Sequence, residues 1–568
     1  MSRADVTIPG SGVSRAAWLT AALVIVGIAI TVGVWRWVAG SEGAAGSAHF
    51  GRSAPPVGNV LRFVNGPEPE TIDPGLMSGQ PDGRIARAIF EGLVTPDPRT
   101  LEPIEGVASR WELADDGVTY TFHLRTDAVW TNGDRVSAHD FAWSWMRVLH
   151  PDTPARYADL FYLIRNARAY KAREIDDPAA VGIRALDEQT FEVVLETPTP
   201  YFLQLVTFYP FLPVHRTSVE RYGDAWTHPE HIVTNGPFRL AMHRQNDRFR
   251  LEKFQEYWDA DNVRLDAVVA YSLDDLSTML NMYRAGMTDW NPSGYLPAEY
   301  IPYVQYYEDY RAGPFLGSYF YSMVVTRPPF DDKRVRQALA LAIDREQITS
   351  FVLHNSVAAW GRIVPDGFAD YPYPEPVRFD PERARQLLAE AGYAGGAGFP
   401  TIEILFNTSE DHKKIAEAIQ AMWKQHLGID VKLLNQEWAS YMRTTIDREY
   451  QVARRTWIGD YVDPNTFLAI LRGGEGNNRT NWSNARYDEL VAAAAGELDA
   501  ERRMRLLAEA EAIALDEMPF IPIYSYRTRE FVAPYVRGWY PTALDTHPLK
   551  YIWFDRESSE PDMRGARR

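Results

Sequence analysis

The sequence predicts an α/β protein with mixed sheets, divided into more than one lobe and preceded by one apolar N-terminal helix. Three observations carry this. A chain of 568 residues exceeds what one compact core accommodates. Runs with the two-residue period of strands alternate with runs of helical period. Ala16 to Trp35 is a stretch of twenty residues without a charge.

That stretch is flanked by Arg3 and Arg15 before it and Arg36 after it, and it is long enough to span a bilayer. It is longer than the apolar part of a secretory signal, which favours an uncleaved anchor with the short N-terminus in the cytoplasm. Small residues at Gly43, Ala45, Gly46 and Ala48 suit cleavage, so a removed signal peptide is the alternative. In both cases the residues after about 50 lie outside the inner membrane. Gly40 to Gly58, rich in Gly, Ser, Ala and Pro, reads as a flexible tether. Glu557 to Arg568 reads as a loose charged tail.

Further along, "VTYTFHLR" (Val118–Arg125) alternates like a half-buried strand, and Ile183 to Leu195 reads as a hairpin turning at Leu186–Gln189. "DPERARQLLAEAGY" supplies a helix with Asp380 as N-cap, Pro381 in the first position and Gly392 past its end. In "TIEILFNTSEDHKKIAEAIQAMWKQHLGIDVKLL", Ile402, Ile404 and Phe406 alternate. Ile415, Ile419 and Met422 then share a helical face, Gly428 ends the helix, and Ile429, Val431 and Leu433 alternate again. This is a strand–helix–strand crossover.

Composition removes several function classes. A net charge of -17 with no run of Lys and Arg argues against nucleic acid. With no cysteine there is no disulfide, thiolate metal site, thiol nucleophile or lipid-modified N-terminal cysteine. Seventeen Trp and thirty Tyr fit either aromatic-lined surfaces or a large core. Phosphate-cradling, nucleophile-elbow and zinc-protease motifs are missing; "HPEH" (His228–His231) has the wrong spacing, and "GGEGNN" (Gly473–Asn478) reads as a plain loop. No cofactor or metal site is expected, and no catalytic motif is convincing. One stretch stands out: "TWIGDYVDP" (Thr456–Pro464) sets Asp460 and Asp463 three residues apart among aromatic and apolar side chains. Such acids shape turns, act as an acid–base pair, or wait for a positive charge.

The surrounding segments carry a resemblance. "NTSEDHKKIAEAIQAMWKQHLGIDVKLLNQEWASYM", "YQVARRTWIGDYVDPNTFL" and "NNRTNWSNARYDEL", with "IFEGLV", "YTFHLR", "DFAWSWMRVLHP", "IVTNGPFRL" and "PPFDDKRVRQALALAIDREQI", resemble the periplasmic oligopeptide-binding proteins of bacterial ABC importers, the family 5 extracellular solute-binding proteins. The resemblance runs in order from about Leu61 to about Phe554. It implies a three-lobed, type II periplasmic-binding-protein-like flytrap. Lobe I is expected at 57–90, 215–316 and 527–556, lobe II at 91–214, and lobe III at 317–526. It further implies a monomeric periplasmic receptor that holds short peptides largely by backbone hydrogen bonds and meets the permease subunits of an importer. A membrane-tethered peptide sensor, and a peptide- or glycan-acting hydrolase using Asp460 and Asp463, are the alternatives.

By resemblance, Asp460 takes the position of the aspartate that pairs with the peptide's α-ammonium. Arg454 and His412 match residues that meet the C-terminal carboxylate of shorter and longer peptides. Trp438 and Trp457 match pocket tryptophans, Tyr157 a ligand-side tyrosine of lobe II, and Gln80 a residue whose main chain contacts ligand. Asp463 reads as structural. Gly317 and Ile458 replace a cysteine pair of some relatives, and Thr456 stands where glycine is common, narrowing the space beside Trp457.

Overall fold

The computed structural model describes residues 48–556 apart from 78 and 369, and no side chains for 298, 438 and 439. The expected anchor helix 16–35, residues 40–47 of the tether and the tail 557–568 therefore lie outside the described residues. Among those described, no helix is long and apolar enough to cross a membrane.

The local expectations are met where sequence period and capping agree. The half-buried strand spans Thr119–Leu124. Ile183–Ala185 and Thr190–Val194 pair antiparallel as a hairpin. Asp380 caps the helix Pro381–Glu390 by accepting the Arg383 N–H. In the crossover, Ile402–Asn407 and Val431–Gln436 run parallel on either side of the helix Glu410–Leu427, which ends on Gly428 at φ 73°, a left-handed conformation that favours glycine.

Tertiary organisation rests on one large mixed sheet. Among the described residues it has eleven strands. Two long ones, Tyr310–Met323 and Phe520–Val532, run antiparallel through its middle. On one side they meet Trp290–Asn291, then Val60–Gly66. On the other, Gly317–Met323 pairs with Val452–Ile458, and Ile402–Asn407 follows. Gly317 and Ile458 are register partners, and a Cβ added at Gly317 would come within 2.6 Å of Ile458 Cδ1. A separate four-stranded antiparallel sheet belongs to the segment 91–214, where the helix Ala138–Leu149 buries Trp145 against Phe161, Phe191 and Phe211.

The apolar core divides unevenly. One cluster unites Leu61, Phe63 and Ile85 with Phe122, Trp145 and Phe191; two others, around Ile404, Ile419 and Trp423 and around Phe467, Tyr487 and Leu507, have their buried members within 316–524. The seam between these cores is where a cleft is free to form.

The tether is shorter than expected. Phe50 and Gly51 donate backbone N–H bonds of 2.8 Å to the Asp309 carboxylate, and the Phe50 ring stacks on Phe531 at 5.0 Å. A buried acid and an aromatic pocket hold this end of a segment whose composition suggests only flexibility.

Candidate functional site

A cavity of about 450 Å³ opens along that seam. One wall comes from the helix Gln80–Ile89 with Tyr157, Phe208 and Tyr209, and the other from Phe315, Ile458, Gly459, Asp460 and the strand residues Tyr526, Arg527 and Arg529. The long central strands make this meeting possible. Their pairing is interrupted between Pro314 and Ser318, and in the gap Leu316 accepts the Gly459 N–H at 2.8 Å. That bond pins the chain just after the strand Val452–Ile458 ends and delivers Asp460 to the cavity.

The Asp460 carboxylate has no ion-pair partner among the described residues. Burial, and secondarily the charge of Asp159, push its pKa up from 3.8 to about 7. An acid in that condition is stabilised by any cation brought to it. Three residues on, Asp463 is already satisfied. It takes both Arg503 terminal nitrogens at 2.5 and 2.9 Å and the Asn465 N–H at 2.8 Å. Arg503 belongs to the helix Ala500–Glu517, so Asp463 is fastened to the protein and is no free partner for Asp460. Between them, Tyr461 stacks on Tyr201 at 4.7 Å. The loop thus bridges the segment 91–214 and the helices behind the cleft.

Of the other residues expected at the site, Tyr157 and Gln80 line the cavity. The Gln80 side chain accepts from Arg84 at 3.2 Å. Arg454 and His412 do not line it. Arg454 is buried, its guanidinium 4.9 Å from the Tyr319 ring centre and bonded to Asn407 and to the Tyr526 hydroxyl at 3.2 and 3.4 Å. His412 lies 3.3 Å from the Tyr319 hydroxyl; burial, then Arg454, push its pKa down to about 3, so it is neutral at pH 7. Tyr526 connects this group to the cavity, its hydroxyl also lying 3.1 Å from Thr456 Oγ1. Trp457 packs against the core around Phe467, with its indole N–H 3.3 Å from Thr466 Oγ1. Trp438 begins the helix Trp438–Ile446, and its side chain lies outside what is described.

Charged residues that the sequence does not single out also line the cavity: Arg84, Arg87, Arg527, Arg529 and Asp545. Their signal was spacing. Arg84 and Arg87 are three apart on a helix and share a face; Arg527 and Arg529 are two apart on a strand and share a side. Arg84 is neutralised by Asp545 at 3.3 Å. Asp545 in turn accepts from His547 at 3.1 Å; Glu530 and Asp545 outweigh burial and hold the imidazole pKa up at about 9. Glu530, Asp545 and His547 gather ligand atoms within 4.8 Å of one another, yet two of them are bonded to each other and Arg84 supplies a cation, which makes the group a buried ion-pair network.

The family model for bacterial extracellular solute-binding proteins, family 5, middle region, matches residues 102–479. The chain belongs to that family. Within family 5, it is 35% identical over 472 residues to the oligopeptide-binding protein OppA of Bacillus subtilis, covering 81% of this chain and 86% of the relative. It is 34% identical over 492 residues to an Escherichia coli protein named "Probable deoxycholate-binding periplasmic protein YgiS", covering 84% and 90%. The crystal structure of Haemophilus influenzae OppA in complex with RPPGFSPFR superposes with a TM-score of 0.73 at 34% identity, over 88% of this chain and 99% of that one. Family 5 relatives of equal identity thus carry names for unlike ligands, and the choice between them falls to each cavity's own side chains.

Proposed function

We propose that this solute-binding protein captures short peptides between its lobes and delivers them to an ABC importer. The observation that carries this reading is the carboxylate of Asp460, without an ion pair among the described residues, in a cavity shared with arginines. A peptide's termini bear one charge of each sign, and such a cavity receives both. A bile acid has no ammonium for Asp460. The lobes are read as 57–90 with 215–316 and 527–556, 91–214, and 317–526, hinged on the two long strands. Tyr157 and the Gln80 main chain are read as ligand contacts, and Arg454 and His412, behind Tyr526 and off the cavity wall, as groups for the C-terminal carboxylate of shorter and longer peptides respectively. The protein is placed in the periplasm, held to the inner membrane by residues 16–35. Asp463, committed to Arg503, leaves no acid pair for a hydrolase.

A double-mutant cycle tests the counter-charge. Asp460→Asn leaves the ammonium of a tripeptide desolvated and unpaired, at a cost of about 3–5 kcal/mol, a hundredfold or more in affinity. Acetylating the peptide's N-terminus weakens binding to the unchanged protein, and the two changes together cost less than their sum. Calorimetry on the four combinations decides; strictly additive losses would falsify the assignment of Asp460.

A further inference from the structure

The protein as a whole is acidic, with 59 Lys and Arg against 76 Asp and Glu, yet its cavity is the reverse. Four arginines line it, against Asp460 and Asp545. Asp545 is consumed by Arg84 and His547. That leaves Arg87, Arg527 and Arg529, none of which has a carboxylate partner among the described residues.

Arg87 is the most telling of the three. It lies over the Phe208 and Tyr209 rings, 5.7 and 5.3 Å from their centres, and its buried Nε makes no hydrogen bond. Cation–π contact offsets part of the desolvation of a guanidinium, but a donor with no acceptor is costly in a site that closes around a ligand. Arg527 and Arg529 project to the same side of their strand, with Thr528, 1% exposed, between them on the other.

A tripeptide with neutral side chains brings one ammonium and one carboxylate. The first satisfies Asp460; the second satisfies one of three arginines. Two arginines then remain without a carboxylate, and an acidic side chain on the peptide supplies one.

We propose that the preferred ligands are short peptides with an acidic side chain, so that Asp460 takes the ammonium while Arg87, Arg527 and Arg529 share the C-terminal and side-chain carboxylates. This rests on the peptide-binding reading above and narrows it. Guanidinium suits the task because its planar fork meets a carboxylate with two parallel N–H bonds.

The test is calorimetry on the full-length protein in a neutral detergent at pH 8, with Ala-Glu-Ala, Ala-Gln-Ala and Ala-Lys-Ala as probes. The Glu peptide is expected to bind at least about tenfold more tightly than the Gln peptide, in keeping with a charge-assisted bond, and the Lys peptide more weakly than either. Added salt should narrow the Glu-to-Gln ratio. So should at least one of Arg87→Gln, Arg527→Gln and Arg529→Gln. Equal affinity for the Glu and Gln peptides overturns the proposal and leaves the peptide reading standing; so does a preference that persists when all three arginines are replaced. Failure of every probe to bind overturns both. Because the first comparison uses the unaltered protein, a variant that does not fold leaves the decision intact.

Discussion

Asp460 and Asp463 are three residues apart, of one chemical type, in one loop, and the fold treats them oppositely. Asp463 is gripped by Arg503 with two bonds and buried with it, their side chains 9% and 3% exposed. Asp460 faces a cavity and forms no ion pair among the described residues, its pKa pushed up to about 7 by burial and Asp159. An acid that finds its cation within the chain holds the chain together. One that forms no such pair bears the cost of its burial in the unliganded protein, and on the function proposed above a ligand's cation relieves it.

The largest effect should come from breaking the satisfied member. Asp463→Ala strands Arg503 as an uncompensated buried charge, and loss of one partner of such a pair costs about 3–5 kcal/mol of folding stability. Urea unfolding of the variant measures it. A loss below about 1 kcal/mol, the scale of an exposed ion pair, would erase the contrast between the two aspartates.

A smaller effect sharpens the other side. In the free protein Asp460 binds a proton below about pH 7, while a bound ammonium favours its ionised form. Binding must then expel that proton when the pH is low. Peptide affinity should rise as pH increases toward 7, by up to about tenfold per unit, and level off above it. Asp460→Asn should flatten the profile. A slope that survives in the variant would place the titrating group elsewhere.

The smallest effect is on stability without ligand. The folded pKa of Asp460 is raised, so below its unfolded value near 3.8 both states are protonated and the residue contributes nothing. Between about 3.8 and 7 the unfolded chain ionises first, and stability is lost as pH rises; above 7 the loss is complete. Asp460→Asn should therefore stabilise the unliganded protein at pH 8 and not at pH 4. With water entering the open cavity, the gain should be on the order of 1 kcal/mol, visible as a higher melting temperature. An unchanged or lower melting temperature at pH 8 would show that Asp460 is not strained.

Much of this was legible in the sequence where the determinants are local. The cap at Asp380, the stop at Gly428 and the alternation through Ile402–Phe406 each depend on neighbours within a few residues, and the structure follows them. The resemblance also singled out "TWIGDYVDP", whose Asp460 borders the cavity and whose Asp463 is held by Arg503. The arginines were half legible: their spacings put Arg84 with Arg87 and Arg527 with Arg529, but nothing in sequence says that two faces some 440 residues apart border one space.

By itself, then, the sequence determined the elements, their caps, the family and the acidic excess of the whole chain. Tertiary structure decided which charges remain free. Arg503 reaches Asp463 across a sequence separation of 40 residues, and Arg84 reaches Asp545 across 461. Arg87 and Asp460 find no such partner in the same cavity. Whether a charge is satisfied depends on what stands within about 4 Å of it, and distances of that kind are set by how the long strands bring the chain's distant parts together.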